Sequence, residues 1–374
     1  MSGINIARLE RELGFLSRTD RKAAIEQLQQ LVREVSFDLA AGASHEVECC
    51  PRCGSIDFIK KGKSPGDGSQ RYFCYGCSRT FGAKTANAIG MSKLPLSTWM
   101  AFIECFVDAL PLRACAQKCA VCLSSAFYMR HRLLEVIRRF CAAFTVDAGA
   151  SAELDETYFR ESFKGNHCKS TVFVMPRPPH KRGRSLHKPG SSAEQICVLS
   201  GVNNKGAAFF ELAGRGTISK ARALSALRDK VRDGFIIATD RAGAYSPVLR
   251  ELNVAAHKRY DAAPRKRTLL SQGTINRINA VHAHLKLFMA RFRGVATKHL
   301  HAYLVWQRWR MDFATDAASA PATLAGQLAQ GVYQSARAKF FNRPALYMDY
   351  WEKKNARFAH ILSNTPFVTT STVV

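Results

Sequence analysis

The sequence has no long apolar run. None of its stretches reaches the roughly 20 residues that a helix needs to cross a bilayer. The opening MSGINIARLERELGF lacks the apolar core of a secretion signal, so a cytoplasmic location is expected. A strongly amphipathic basic helix is also missing, which argues against a membrane-surface partner. No internal repeat is visible, which excludes a solenoid. The chain is short of acid as well. It carries 29 Asp+Glu against 55 Lys+Arg in 374 residues, a formal net charge of +26. That excess predicts a polyanionic partner, with nucleic acid first; a surface biased for solubility is the alternative. With 47% hydrophobic residues, the chain is long enough for two or three globular domains.

Without a secretion signal, the 12 cysteines read as thiols or metal ligands rather than a disulfide framework. Five fall between Cys49 and Cys77. Cys50-Pro51-Arg52-Cys53 and Cys74-Tyr75-Gly76-Cys77 form two C-x-x-C knuckles with twenty residues between them. Each knuckle aims two sulfurs at one point, and two knuckles make a tetrahedral four-cysteine site suited to structural Zn²⁺. Gly54 and Gly76 supply the freedom such turns need. Cys49 is a conceivable substitute for Cys50, but the C-P-x-C-G spelling favours Cys50. Lys60, Lys61 and Arg71, on short strand-like stretches of this ribbon (45–84), are candidate phosphate contacts or solvated charge. Cys105, Cys115, Cys119, Cys122 and Cys141 sit in helical apolar patterns, where free thiols are ordinary.

Helical periodicity flanks the ribbon. Residues 1–44 form an N-terminal helical segment, broken near Ser17-Arg18-Thr19-Asp20. In 92–145, a helix capped by Ser97-Thr98 runs to about Leu110 and Pro111 interrupts it. A short helix over Leu112–Lys118 follows, then a turn, then a longer helix to about Phe140. This pattern is helix-turn-helix-like, or a plain three-helix core. Arg130 and Arg132 are candidates for phosphate or base-edge contacts.

From about residue 150 to 312 the pattern becomes mixed α/β. Strands are predicted over Ala152–Arg160, Ser170–Met175, Gln195–Val202, Ala207–Leu212, Phe235–Thr239 and Val254–Tyr260. Helices are predicted over Ser219–Val231, Tyr245–Leu252 and from about Ile275 to Phe292. One mixed sheet flanked by helices follows. The Pro-, Gly- and base-rich 176–190 reads as an exposed basic loop, with Lys181, Arg182 and Arg184 as candidate DNA contacts. Residues 313–374 are left as a C-terminal tail.

Within this half, Asp155 lies in Glu153-Leu154-Asp155-Glu156, and Asp240 ends the run from Phe235 to Thr239. Functional groups in open α/β sheets gather at the carboxyl ends of strands, and two such Asp on neighbouring strands can hold Mg²⁺. In the third element, Asn279 and Lys286 are seven residues apart, so steps of about 100° return them to nearly one helix face. Side-chain alternation makes Glu153 the better reserve carboxylate and turns Glu156 away from Asp155.

These pieces resemble the bacterial insertion-sequence transposases whose core is the ISX-O-two-like domain, of DDE type with an RNase H-like fold. The resemblance rests on CPRCG…CYGC, LDETYF followed by SFKGN, PRPPHKRGR, IIATDRAGAY, and NRINAVHAHLKLFMARFRGVATKHLHAYLVWQRW, and spans roughly 45–312. It implies Asp155 and Asp240 as ligands of two catalytic Mg²⁺ ions, for which Mn²⁺ may substitute. Asn279 falls in the slot usually held by Glu, and Lys286 is the following cation. Asn can ligate through its carbonyl oxygen but brings no charge. The implied activity is metal-dependent cleavage at element ends and strand transfer into target DNA, by a homodimer or larger assembly in the bacterial cytoplasm, associated with the nucleoid. Arg293 and Lys298 are further candidate DNA contacts. His282 and His284 are structural, solvated or DNA-facing. A catalytically inactive or domesticated transposase acting as a DNA-binding regulator is the rival reading, kept open by Asn279.

Overall fold

In a computed structural model of the chain, the described residues are 6–42, 47–65, 68–82, 85, 88–89, 92–146, 150–165, 175–177, 193–240, 242–260, 275–316, 319–330, 340 and 343–364. The chain divides into two compact units, Met1–Cys141 with Trp309–Phe341, and Ala142–Arg308 with Asn342–Val374. The expected strand at Ser170–Met175 falls almost wholly outside the described residues, as do Lys181, Arg182 and Arg184.

The first unit opens with α1 (Ile6–Gly14) and α2 (Arg18–Gly42). The break between them is a cap: the Ser17 hydroxyl accepts from the Asp20 amide at 3.2 Å. The ribbon follows as an antiparallel sheet of β1 (Phe58–Lys63), β2 (Gln70–Cys74) and β3 (Arg79–Gly82). Phe58, Tyr72 and Phe81 pack edge-on and stacked within 5.6 Å of one another, an aromatic core beside the cysteines.

Next come α3 (Leu96–Val107), α4 (Leu112–Lys118) and α5 (Leu123–Ile137), the last two joined by a tight turn through Ala120. Both α3 and α4 start directly after a proline, Pro95 and Pro111. Trp99, Phe102, Ile103 and Phe106 of α3 are buried. The segment expected to be a tail contributes α10 (Ala320–Gln330), which packs against α2, α3 and α5. Trp309 donates to Gln327 at 2.7 Å to hold it.

This enclosure puts Arg130 and Arg132, at 1% and 2% exposure, inside the unit. Arg130 donates to the Leu110 carbonyl at 2.5 Å, just past the end of α3. Arg132 lies over the Tyr128 ring at 5.1 Å. The sequence reading had placed both on the surface for DNA. With α4 and α10 packed against α5, that helix has too little open face to display them.

The second unit is built on a five-stranded sheet in the order β6-β5-β4-β7-β8: β4 (Ser151–Arg160), β5 (Gln195–Val202), β6 (Ala208–Arg215), β7 (Ile236–Thr239) and β8 (Ala256–Arg259). β4, β5 and β6 pair antiparallel, while β7 and β8 run parallel to β4. The sheet is therefore mixed, as expected. β5 is an almost continuous apolar run and is buried along nearly its whole length. Gly201 has no room for a side chain, since a Cβ there would lie 2.3 Å from the Phe209 ring.

α6 (Lys220–Leu227) and α7 (Tyr245–Glu251) share one core with Leu154, Leu199, Phe209 and Ile237. α8 (Asn276–Ala290) packs on β4 and β5. After it, α9 (Thr297–Phe313) buries Tyr303 and Trp306 against Phe288 and Phe292. Lys164 donates to the carbonyls of Phe292 and Gly294 at 2.9 and 2.8 Å, just beyond the end of α8.

The last helix, α11 (Met348–Asn364), is pinned at Trp351. The Trp351 indole donates to Glu161 at 3.0 Å, and Glu161 also takes the guanidinium of Arg215 and, at 3.8 Å, that of Arg177. Among the described residues, no helix is long and apolar enough to cross a membrane.

Candidate functional site

Two clusters of ligand atoms stand out. In the ribbon, one sulfur from each of Cys50, Cys53, Cys74 and Cys77 lies within 4.8 Å of the others. The cross-knuckle pairs are 3.8 Å for Cys50–Cys77 and 3.5 Å for Cys53–Cys74. These are far longer than a disulfide, which is about 2.05 Å. They match the roughly 3.8 Å edges of a tetrahedron with about 2.3 Å Zn–S bonds.

The backbone makes this shape. The Gly54 amide donates to the Cys50 carbonyl at 2.8 Å, with Gly54 at φ +80. Gly76 must stay small, because a Cβ there would lie 2.8 Å from Ser55. Cys49 is outside the cluster. The donor set suits Zn²⁺ and leaves no open position.

The second cluster joins Asp155, Glu156 and Asp240, with one carboxylate oxygen of each within 4.8 Å of the others. Parallel pairing sets Leu154 beside Thr239, so Asp155 falls level with Asp240, the first residue past β7. The Asp240 carboxylate accepts from the Ala242 amide at 2.9 Å, which fixes it in the turn entering α7. Burial, then the charges of Glu156 and Asp240, push the Asp155 carboxyl up to about 7. Burial also raises Glu156.

Glu156 corrects the alternation argument. On a strand flanked on both sides, neighbouring residues face apart. Here β7 ends at Thr239, so from Asp155 onward β4 has no paired strand on that side among the described residues. Asp155 faces α8 and Glu156 faces α7, and their carboxylates meet around this free edge. The buried Tyr245 hydroxyl, on α7, donates to Glu156 at 2.5 Å.

Glu153, the expected reserve ligand, is occupied elsewhere. It accepts from the Arg277 guanidinium at 2.8 Å and from the Ile278 amide at 3.0 Å, tying the first turn of α8 to the sheet. Two steps on, Asp155 faces His282, with His282 Nδ1 3.6 Å from Asp155 Oδ2. The helix rises about 6 Å over four residues and the strand about 6.6 Å over two, so 153/278 and 155/282 stay in step. Burial, reinforced by Lys286, lowers His282 to about 4, which keeps it neutral at pH 7.

Asn279 and Lys286 are exposed on α8, one turn either side of the buried His282. Lys60 and Lys61 are exposed on β1, with the Lys61 ammonium 4.6 Å over the Phe73 ring. Arg71 is half-buried and donates to Thr80 at 3.4 Å. Arg293 is exposed just after α8, and Lys298 is half-buried at the start of α9. Sequence reasoning passed over Tyr245. Its signal was the short spacing from Asp240 across a glycine turn, which returns the next helix to the strand end.

No protein-family model and no curated protein matches the sequence. Among solved structures, the crystal structure of a pre-cleavage Mos1 transpososome is similar at 13% identity, over 61% of this chain and 76% of that chain, with a TM-score of 0.23. At that score the two folds have no established overall correspondence.

Proposed function

We propose that the protein is a DNA transposase that binds the terminal repeats of an insertion sequence, cuts at its ends and joins them to target DNA. The observation that carries this reading is the meeting of Asp155 and Asp240 carboxylates at neighbouring strand positions of a mixed sheet, in a chain of net charge +26. The sequence resemblance to ISX-O-two-like transposases supports it, and with it an RNase H-like fold for the second unit. Crowded half-buried carboxylates suit a hard divalent cation, and we assign them Mg²⁺, replaceable by Mn²⁺. Bound there, Mg²⁺ would supply Lewis-acid activation of a phosphodiester and of the attacking hydroxyl.

The chain's own residues set the rest. Glu153 and Arg277 fix α8 on the sheet, which aims exposed Asn279 and Lys286 at the DNA beside the carboxylates. Lys286 neutralises phosphate. The ribbon, held by structural Zn²⁺, offers Lys60 and Lys61 to the backbone of the duplex, and the second unit separately offers Arg293 and Lys298. Joining two ends requires a homodimer or larger assembly on DNA.

In vitro strand transfer tests this. Purified protein, labelled element ends and a plasmid target are incubated with Mg²⁺ or Mn²⁺, alongside Asp155→Ala and Asp240→Ala. Metal-dependent joined products that vanish in both variants are expected. Tight end binding without cleavage or joining under either metal refutes the enzyme and establishes the second reading, a DNA-binding regulator, which the uncharged Asn279 slot favours.

A further inference from the structure

We infer that Glu156, held by Tyr245, supplies the third carboxylate of the cation site, so that the Asn279 slot on α8 is not needed as a ligand. The inference rests on the metal-dependent reading above and changes which residues complete the site. In the sequence pattern the third position falls on α8, where an Asn brings no charge. In the structure a carboxylate is already beside Asp155 and Asp240, and it comes from the strand.

The contrast with other acids of the same unit is the first support. Glu153 has Arg277, Glu161 has Arg215 and Arg177, and Glu211 has Lys230 at 3.2 Å. Asp155, Glu156 and Asp240 have no Lys or Arg within 4.0 Å among the described residues, although the chain has nearly twice as many cations as acids. Three half-buried carboxylates with no described Lys or Arg beside them are costly unless a cation joins them.

The second support comes from a residue that is not an acid. His282 is 6% exposed, its Nε2 makes no hydrogen bond, and its Nδ1 is turned to Asp155. A buried imidazole against a carboxylate is the arrangement that orients a metal-binding oxygen or adds a nitrogen ligand. The third support is Tyr245. Its fully buried hydroxyl donates to Glu156, which also brings a carboxylate oxygen within 4.8 Å of Asp155 and Asp240. Tyr245 is thus a positioning residue, acting through Glu156.

The test is Mn²⁺ binding to the zinc-loaded full chain without DNA, by isothermal titration calorimetry and the electron paramagnetic resonance signal of free Mn²⁺. Glu156→Gln, close to isosteric, is expected to weaken binding by about tenfold or more, and Tyr245→Phe by a few-fold. Asn279→Ala is expected to change it by less than about twofold. Glu156→Asp, which keeps the charge, is expected to bind more tightly than Glu156→Gln, a ranking that loss of fold would not produce. Circular dichroism melts check that each variant is folded. Wild-type protein that binds no Mn²⁺, or affinity that follows Asn279 and ignores Glu156, overturns the inference. The two readings fail separately. Protein that loses Mn²⁺ with Glu156→Gln yet joins no DNA ends refutes the transposase, whereas active protein whose Mn²⁺ affinity follows Asn279 refutes only this assignment.

Discussion

Replacing Asp155 with Asn should stabilise the metal-free protein at alkaline pH. Asp155 ionises near 3.8 in an unfolded chain, but in the fold burial and the neighbouring charges of Glu156 and Asp240 hold its proton to about 7. Its contribution to stability is therefore fully present below about pH 4 and is lost as pH rises toward 7. At about 1.4 kcal/mol per pH unit, the loss by pH 8 is at most about 4 kcal/mol. The side chain keeps 20% of its surface in water, so screening and relaxation reduce the expected penalty to about 2 kcal/mol. Asn mimics the protonated acid and removes the penalty. For a unit of this size the gain is about 4–8 °C in melting temperature at pH 8, and less than half of that at pH 5. Differential scanning calorimetry of zinc-loaded protein dialysed free of Mg²⁺ and Mn²⁺ measures it. Adding Mn²⁺ should then stabilise the wild type and not the variant. A variant that melts lower than wild type at pH 8, or a difference that does not change between pH 8 and pH 5, would refute the crowded-carboxylate account.

Glu161→Leu should cost about 3 kcal/mol, because it leaves the Arg215 and Arg177 guanidiniums, 6% and 10% exposed, without the carboxylate between them. Glu251→Ala, which breaks an open pair with Lys220, should cost under about 1 kcal/mol. Equal melting temperatures for the two variants in urea or heat denaturation would contradict this ranking. Removing zinc with a chelator, or Cys53→Ser, should raise amide hydrogen exchange across 58–82 while leaving β5 protected. Unchanged exchange in the ribbon would mean that its aromatic core suffices without metal.

Much of the architecture was legible because two periods dominate it. Gln195–Val202 is an apolar run ended by Asn and Gly, and it could be read residue by residue as a buried strand. Asp240 could be read as a strand-end residue because Phe235–Thr239 is apolar and then stops. β3 was missed because four residues, Arg79–Gly82, show too little alternation to register. The orientation of Glu156 was misread for a different reason. Alternation describes a strand inside a sheet, and the early end of β7 is a property of the partner strand, invisible along β4 itself. Arg130 and Arg132 were misplaced because charge predicts exposure only on average. Their burial depends on α10, nearly 200 residues away in sequence. Docking of α11 was hidden likewise, since nothing local to Trp351 announces Glu161.

A chain leaving the ribosome meets an ordering problem. The helical unit begun by α2, α3 and α5 lacks its packing partner α10 until the whole stretch 142–308 has been synthesised. The sheet unit in turn leaves Glu161 and its arginines without the Trp351 indole until still later. Each half of the protein therefore waits on residues translated after the other half has begun to fold. A message broken after α9 would yield chains with an open helical core, prey for proteases. Quality control over the two units would then be exercised by translation itself.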